Sequence, residues 1–480
     1  MGGEDVRMQV DEILQDIAAY CQRTGLAEST FGRRAVNDGK LVQRLREGGR
    51  ITTDTFDRIR LFMAQKPTGR SSLMPSRRLA AALPAMPGPT AVDVLAAPQL
   101  HSEPAANPQG NFRFFDNRQK YLLFVHTCSE KRVVASRVAL ELANIHPRPP
   151  AVRVFDAGVG DGTVLTRVIR SMHGRFPHMP FYVTGKEISL EDIRLTLDKM
   201  PDRFFEHPAT VLVLTNMYYA EAPWLSVKSS AAANSLVWRS VALRGATSAE
   251  FAEQIADLQS FLAETWRARV NAKSGNPVYE RPVVLVIYRE DHRFLLDPII
   301  PAPGRAEADF DLIIASQPYR ARASADFKAK RVIGPLARAL RAGGRLIAIH
   351  SCGKDPGMEI IEGIWPNDDP FLTDRHQILR AVKHELGPAA REFNFNAYSD
   401  VRSQFQYHLE TLPNELSGTI GTSTVFAAWN AAIYVAQVED QRLTEVVRAQ
   451  SYLEATQAIL HKYGGLWFND ESYVISRHRD

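Results

Sequence analysis

The chain has 480 residues, of which 45% are hydrophobic and 23% are charged, and its formal net charge is +4. A chain of this length exceeds what one hydrophobic core can cover, so we expect two or more domains of an ordinary globular protein. This net charge is too small to indicate a nucleic-acid partner by itself.

The cysteines and apolar runs limit the compartment and the cofactor class. Cys21, Cys128 and Cys352 are far apart and odd in number, which excludes a disulfide framework and a cysteine-rich zinc site on sequence grounds. No apolar run approaches the roughly 18 to 20 residues of a membrane helix, and the acidic N-terminus is unlike a secretory signal. We therefore expect no metal, no membrane span and a cytoplasmic location.

Residues 1–65 predict a small all-α domain, because apolar residues recur at helical spacing in four successive segments. Within it, ESTFGRRAVNDGKLVQRLREGGRITTDTFDRIRLFM resembles the lambda-repressor-like helix-turn-helix family. The resemblance implies a turn at 37–39, a recognition helix over 40–46, and DNA contacts by Lys40, Arg44 and Arg50. It also makes a homodimer the oligomeric state to test. The competing interpretation is a protein-docking module whose arginines are solvated.

Residues 66–110 are rich in Pro, Ala, Ser and Gly, as in LPAMPGPTAVDVLAAPQLHSEPAANPQG. Such a segment buries too little apolar surface to offset its ordering entropy, so it predicts a flexible linker.

Residues 111–480 alternate strand and helix patterns, which predicts an α/β fold with a mostly parallel sheet covered on both faces. Seven strands are expected, at 152–155, 181–186, 210–214, 311–315, 345–350, about 392–396, and 473–477. The long connection at about 224–305 contains a capped helix beginning at Ser248 and the strand pattern PVVLVIYRE. A connection of this length predicts an inserted subdomain that closes over a substrate.

The segment VRVFDAGVGDGTVLTRVIR predicts a glycine-rich turn between a strand and a helix. Gly158, Gly160 and Gly162 allow the backbone to pass close to a ligand. The spacing is not that of a dinucleotide fingerprint, and carboxylates at Asp156 and Asp161 would repel a pyrophosphate. A ligand that carries an ammonium and a sulfonium group suits this turn.

This run resembles the first motif of class I S-adenosylmethionine-dependent methyltransferases. The resemblance implies a Rossmann-like fold, S-adenosyl-L-methionine as the cofactor, and contacts to it from Asp156 and the three glycines. It further implies that Glu187, after the next strand, accepts hydrogen bonds from both ribose hydroxyls. Asn216, after the third strand, takes the position that contacts the adenine amino group.

The fourth strand leads into Ser316-Gln317-Pro318-Tyr319, which resembles the (N/D/S)-P-P-(Y/F) motif of methyltransferases that act on planar nitrogens, with Gln317 in place of the first proline. The resemblance implies acceptor contacts by Ser316 and Tyr319. The alternative is an ordinary turn with a packed tyrosine. His350, after the fifth strand, is either a general base or a histidine satisfied within the fold. Tyr121, in a helix before the first strand, either covers the cofactor or packs.

Three functions follow from these patterns. The first is direct methyl transfer to a small-molecule acceptor, whose reactive atom is nitrogen if the tetrapeptide resemblance holds. The second is methylation of a nucleic acid that the N-terminal domain delivers, with a flipped base at Ser316–Tyr319. The third is a DNA-binding regulator that senses the cofactor through a methyltransferase fold.

Overall fold

The computed structural model describes residues 13–14, 16–22, 27–36, 38, 40–46, 59–60, 62–63, 118–271, 277–410 and 422–479. The chain divides into two units, residues 1–102 and 103–480. The predicted linker and Arg50 lie outside the described residues. Within the described ranges, no helix is long and apolar enough to cross a membrane.

The described part of the N-terminal unit is helical around one apolar cluster. Its helices include Glu28–Val36 and Leu41–Arg46, and the second places Leu41, Val42 and Leu45 inward. They pack with other apolar side chains, namely Ile13, Ile17, Tyr20, Cys21, Phe31 and Ile59. The helix-turn-helix assignment stays a prediction, because much of the segment that carries it lies outside the described residues.

The larger unit is built on a ten-stranded sheet. The described residues of this unit form twelve strands, ten of them in this sheet: β1 Val152–Asp156, β2 Phe181–Lys186, β3 Thr210–Thr215, β4 Val237–Leu243, β5 Ala268–Val270, β6 Pro277–Tyr279, β7 Val283–Arg289, β8 Phe310–Ser316, β9 Leu340–Ser351, β10 Phe393–Asn396, β11 Gln404–His408 and β12 Trp467–Arg477. The main order is β10-β12-β9-β8-β1-β2-β3-β7-β4, with β11 paired to β12, and β5-β6 form a separate hairpin.

The centre of the sheet is parallel, from β3 through β2, β1 and β8 to β9. These strands are buried on both faces, which explains their continuous apolar sequences. From β1, the chain adds β2 and β3 on one side and β8 and β9 on the other. Ligands of open α/β sheets bind at such a reversal, outside the carboxyl ends of the strands.

Helices cover both faces of the sheet and form a further layer. The α-helices are Arg118–Thr127, Glu130–Ala139, Thr163–Arg175, Leu190–Asp198, Pro201–Glu206, Ser230–Asn234, Ser248–Ala256, Gln259–Thr265, Arg293–Leu296, Ala325–Lys328, Gly334–Arg338, Pro356–Ile364, Arg375–Leu386, Asp400–Ser403, Thr422–Val435, Asp440–Ala449 and Ser451–Tyr463, with a π-helix at Ala329–Ile333. Short 3-10 helices occur at Leu140–Ala143, Ala222–Trp224, Glu290–His292 and Gly387–Glu392.

The sheet has three strands beyond the seven predicted for it, β4, β7 and β11; of these, β7 was predicted as a strand but assigned to the inserted segment. The segment 224–305 was expected to form a subdomain over the substrate, but its strands β7 and β4 extend the sheet beyond β3 instead. β7 is the PVVLVIYRE pattern, and it runs antiparallel to β3. Its helix is capped by Thr247, one residue before the predicted cap.

The layer facing the carboxyl ends of β8 and β9 comes from helices between β11 and β12. Helices 422–435 and 451–463 share an apolar cluster with helices 118–127 and 356–364. Val435 and Gln437, at the end of the first, line cavities together with Gln317 and Ser351. We call helices 422–463 the cap.

A matched pair of glycine variants tests the packing of helix Pro356–Ile364 on β12. A Cβ at Gly357 would lie 2.1 Å from Cε1 of Phe468, whereas one at Gly363 would meet only Ala455, at 3.8 Å. We expect Gly357→Ala to lower the free energy of unfolding by about 1 to 3 kcal/mol through overpacking. Gly363→Ala should raise it by about 0.4 to 1 kcal/mol through the unfolded chain. Denaturant unfolding measures both, and equal effects would contradict this packing.

Candidate functional site

The reversal of strand order brings the end of β1 beside the end of β8. Asp156 is 1% exposed; its Oδ1 accepts the Gly158 N–H at 3.1 Å, and its Oδ2 has no hydrogen-bond partner among the described residues. The Ser316 hydroxyl oxygen, at the end of β8, is also buried without a partner there. Gly158 lies against this strand end, since a Cβ on it would be 4.0 Å from the Ser316 carbonyl oxygen.

Burial raises the pKa of Asp156 to about 7. The Gly158 N–H and Lys131 act in the opposite direction, and Glu187 adds to the increase. The carboxyl group therefore loses its proton near neutral pH, and a cation placed beside it would favour the charged form.

The glycine turn needs residues without side chains at two positions. Gly160 and Gly162 have φ of +55° and +79°, which disfavour a Cβ. A Cβ on Gly160 would lie 2.9 Å from the Tyr121 hydroxyl, and one on Gly162 would lie 2.9 Å from Cα of Thr196. Tyr121 accepts the Asp161 N–H at 3.2 Å, so its ring end touches the turn.

Glu187 fixes the turn through the loop after β2. Its Oε2 accepts the Gly160 N–H at 2.9 Å, and its Oε1 accepts the N–H groups of Ile188 and Ser189. A carboxylate has about four acceptor positions, so one remains open in this arrangement. The predicted contact to both ribose hydroxyls therefore requires the release of one backbone N–H. Trp266 supports the loop by donating to the Glu187 carbonyl at 3.0 Å.

Asp161 does not face a ligand as a free charge, contrary to the sequence argument. It forms an ion pair with Lys199 at 2.6 Å and accepts a hydrogen bond from the Thr163 hydroxyl. Burial works against ionisation, but Lys131 and Lys199 lower the pKa of Asp161 below its usual range. This carboxylate therefore anchors helix Thr163–Arg175 and is a structural element of the turn.

Asn216 has a structural role at the predicted adenine position. It is buried; its Oδ1 accepts the Val283 N–H at 2.8 Å, and its Nδ2 donates to the Arg281 carbonyl at 3.0 Å. The side chain thus joins the end of β3 to the start of β7. The added strand takes one acceptor position and one N–H of the amide, and the adenine contact stays a prediction.

The tetrapeptide after β8 is held by the last strand of the sheet. Gln317 has a φ of +47°, and its Nε2 lies 3.0 Å from the Ser351 hydroxyl and 3.3 Å from both carboxylate oxygens of Asp470. Tyr319 is buried, and its hydroxyl lies 3.3 Å from that of Tyr473. Burial raises the pKa of Tyr319 well above its usual value, so the hydroxyl stays protonated.

His350 lies at the same edge, in contact with a charged pair. Its Nε2 is 3.1 Å from Oε1 of Glu471, which also pairs with Arg375 at 2.7 Å. Burial would raise the pKa of Glu471, but His350 and Arg375 lower it to about 2. The carboxylate is thus charged at neutral pH and lies beside the histidine ring, although the His350 Nε2 has no hydrogen bond of good geometry among the described residues. The ring centroid of Tyr319 is 5.7 Å from that of His350.

Two adjoining cavities open at this edge, below the cap. The first encloses about 270 Å³ of space not filled by atoms, open solvent at its mouth included, between Tyr319, His350 and Lys328. The second encloses about 380 Å³ measured in the same way, and Lys131 and Tyr434 line it. Gln317, Ser351, Val435 and Gln437 border both cavities.

The charged residues that line these cavities were not predicted from the sequence. Lys131 lies 3.2 Å from Glu130. Burial lowers the pKa of Lys131, but Glu130 and Asp161 act in the opposite direction, and the pKa lies above its usual value. Lys328 and Asp470 are buried as well. No sequence signal marks them, because a single charge within a helix pattern usually indicates a solvated face. Among the described residues, no group of His, Cys, Asp and Glu side chains is arranged to hold a metal ion.

The residues predicted to contact DNA belong to the other unit. Lys40 is exposed, while Arg44 forms an ion pair with Asp38 at 2.6 Å. Arg50 lies outside the described residues. To contact a DNA phosphate, Arg44 would thus have to give up its ion pair with Asp38.

No family model matches the chain, and no curated protein matches it. Solved structures similar to it include a geranyl diphosphate methyltransferase in complex with GPP and sinefungin, with 12% identity, a TM-score of 0.26, and coverage of 71% of this chain and 78% of that chain. PKMT2 from Rickettsia typhi in complex with AdoHcy has 12% identity, a TM-score of 0.23, and coverage of 72% and 53%. The rRNA methyltransferase aviRa from Streptomyces viridochromogenes has 12% identity, a TM-score of 0.18, and coverage of 46% and 73%. Similarities this low carry no argument for function, which rests on the site itself.

Proposed function

We propose that this chain is an S-adenosylmethionine-dependent methyltransferase that transfers a methyl group to a small-molecule acceptor. The observation that carries the proposal is the unpartnered, buried carboxylate oxygen of Asp156 beside a glycine turn at the reversal of strand order. A buried carboxylate without a partner is costly, and a cationic ligand supplies the missing partner.

The charges around the turn favour a cationic ligand over a phosphate. Four carboxyl groups lie near it, and three ammonium groups offset them in part: Glu130, Asp156, Asp161 and Glu187 against Lys131, Lys186 and Lys199. A dinucleotide pyrophosphate would add two negative charges to this set. The donors and acceptors present therefore suit a nucleoside that carries an ammonium and a sulfonium.

S-adenosylmethionine, when bound, supplies an electrophilic methyl group on its sulfonium. Asp156 would hold the ammonium end through Oδ2, and Glu187 would accept a ribose hydroxyl. Ser316 and Tyr319 would position the acceptor, and holding two reactants in line is worth roughly 7 to 11 kcal/mol. His350, whose Nε2 lies 3.1 Å from Glu471, would take up a proton from the acceptor.

The experiment combines binding with a methyl-transfer assay. Calorimetry with the demethylated cofactor should show binding, and absence of binding at millimolar ligand would end the proposal. Radiolabelled cofactor should then label a small-molecule extract. Label on genomic DNA or tRNA would favour the nucleic-acid alternative instead, and binding without transfer to any acceptor would favour the regulatory one.

A further inference from the structure

Lys328 is a buried cation that the proposed chemistry does not use. It ends helix Ala325–Lys328, is 1% exposed, and lines the cavity that contains Tyr319 and His350. Its Nζ donates to the Ala321 carbonyl at 2.9 Å and to the Thr373 hydroxyl, and it lies 4.8 Å from the Tyr319 ring centroid.

No described carboxylate lies within 4.0 Å of the Lys328 ammonium, unlike two other cations at this edge. Lys131 pairs with Glu130, and Arg375 pairs with Glu471. Glu471 also influences Lys328, but it is already in contact with His350 and Arg375. Buried charges in proteins are normally paired, so a lone buried ammonium in a cavity points to a ligand that completes the pair.

The walls of this cavity are polar. Thr373, Ser351, Gln437 and Gln317 supply hydroxyl and amide groups around Lys328. The chain continues from Lys328 into the π-helix Ala329–Ile333, a rare conformation that occurs frequently at functional sites. One ammonium balances one negative charge, so the cavity suits a carboxylate better than a phosphate dianion.

We propose that Lys328 binds a carboxylate group of the methyl acceptor and thereby selects acidic small molecules. This inference rests on the proposed methyl transfer, since it places the acceptor against Tyr319. The carboxylate then pairs with the ammonium, and the rest of the acceptor lies beside Tyr319 and His350, which line the same cavity. Burial lowers the pKa of Lys328 to about 8, so the ammonium remains mostly protonated at pH 7.

The test uses a charged probe and its neutral analogue on the full chain without cofactor. Fluorine NMR titration compares 4-fluorobenzoate with 4-fluorobenzamide for the wild type, Lys328→Met and Lys330→Met. Lys330 is the matched control, because it is an exposed lysine two residues away. We expect the wild type and Lys330→Met to prefer the carboxylate by about tenfold or more, and Lys328→Met to lose that preference. Equal preference in all three proteins, or none in the wild type, would overturn the inference.

Two further measurements distinguish a failure of the anion site from a failure of the proposed function and from a failure of the variant to fold. Calorimetry with the demethylated cofactor should give the same Kd for Lys328→Met and the wild type; a wild type that binds 4-fluorobenzoate but not this cofactor would reject the proposed function while keeping the anion site. If Lys328→Met does not fold, Lys328→Gln retains polar contacts at this position and should show the same loss of preference. A wild-type chain that binds the cofactor yet shows no preference for the carboxylate would reject the anion site alone.

Discussion

Replacing Gly160 with valine is expected to weaken cofactor binding by about 100-fold or more. A β-branched residue is strongly disfavoured at the positive φ of Gly160, and its Cβ would lie 2.9 Å from the Tyr121 hydroxyl. The backbone cannot relax freely, since Glu187 holds the Gly160 N–H and Thr196 donates to its carbonyl at 2.9 Å. Calorimetry with the demethylated cofactor measures the change.

Gly174→Val is the matched control for this substitution. Gly174 is exposed in helix Thr163–Arg175, and a Cβ there meets nothing within 4 Å. We expect its Kd for the cofactor to equal that of the wild type. If both valine variants bind normally, the glycine turn is not the binding site. Circular dichroism of Gly160→Val distinguishes a local loss of binding from a failure to fold.

Asp156→Asn is expected to abolish cofactor binding and, at the same time, to stabilise the protein above pH 7. The substitution replaces the unpartnered Oδ2 with an amide NH2 group, which cannot accept a hydrogen bond from an ammonium. It also removes the negative charge that the wild type buries at high pH. The asparagine Oδ1 can still accept the Gly158 N–H, so the turn is preserved.

The stability gain has a defined pH window. Because the pKa of Asp156 is raised from 3.8 to about 7 in the folded state, the folded chain binds the proton more tightly than the unfolded chain. Wild-type stability therefore falls as the pH rises from about 4 to 7 and stays lower above that. The Tm of Asp156→Asn should exceed that of the wild type at pH 8, and the two should converge near pH 4.

Asp161→Asn provides a control of opposite sign. Its carboxylate has a lowered pKa and pairs with Lys199, so the variant should have a lower Tm than the wild type at pH 8. A lower Tm for Asp156→Asn at pH 8, with binding retained, would contradict the role assigned to Asp156.

The central strands were accessible from the sequence because their apolar runs end at turn residues. β2 has the bounds that were predicted, and β1 and β3 differ by one residue at their ends. The meeting of the glycine turn and Glu187 at one edge was also predictable, since each directly follows a strand and the carboxyl ends of parallel strands share one edge. Their contacts to a cofactor stay a prediction.

The position of a strand in the sheet was not accessible. β7 is a continuous apolar run, which shows that it is buried but not which neighbour it pairs with. This gap explains why the place of 224–305 in the sheet was not predicted, and why the bridge from Asn216 to the incoming strand was not predicted either. Contacts between distant segments were equally hidden. Gln317, Ser351 and Asp470 meet only because β12 returns to pair with β9.

The pairing of β9 with β12 also bears on how the chain acquires its shape. Ser351 and Asp470 are 119 residues apart, whereas the strands that carry the glycine turn and Glu187 follow one another directly along the chain. Closing a long loop costs more entropy than closing a short one, and distant pairings slow folding. We therefore expect the part of the crevice around the glycine turn to form early during refolding, and the part around Ser351 and Asp470 to be completed only after the long loop has closed.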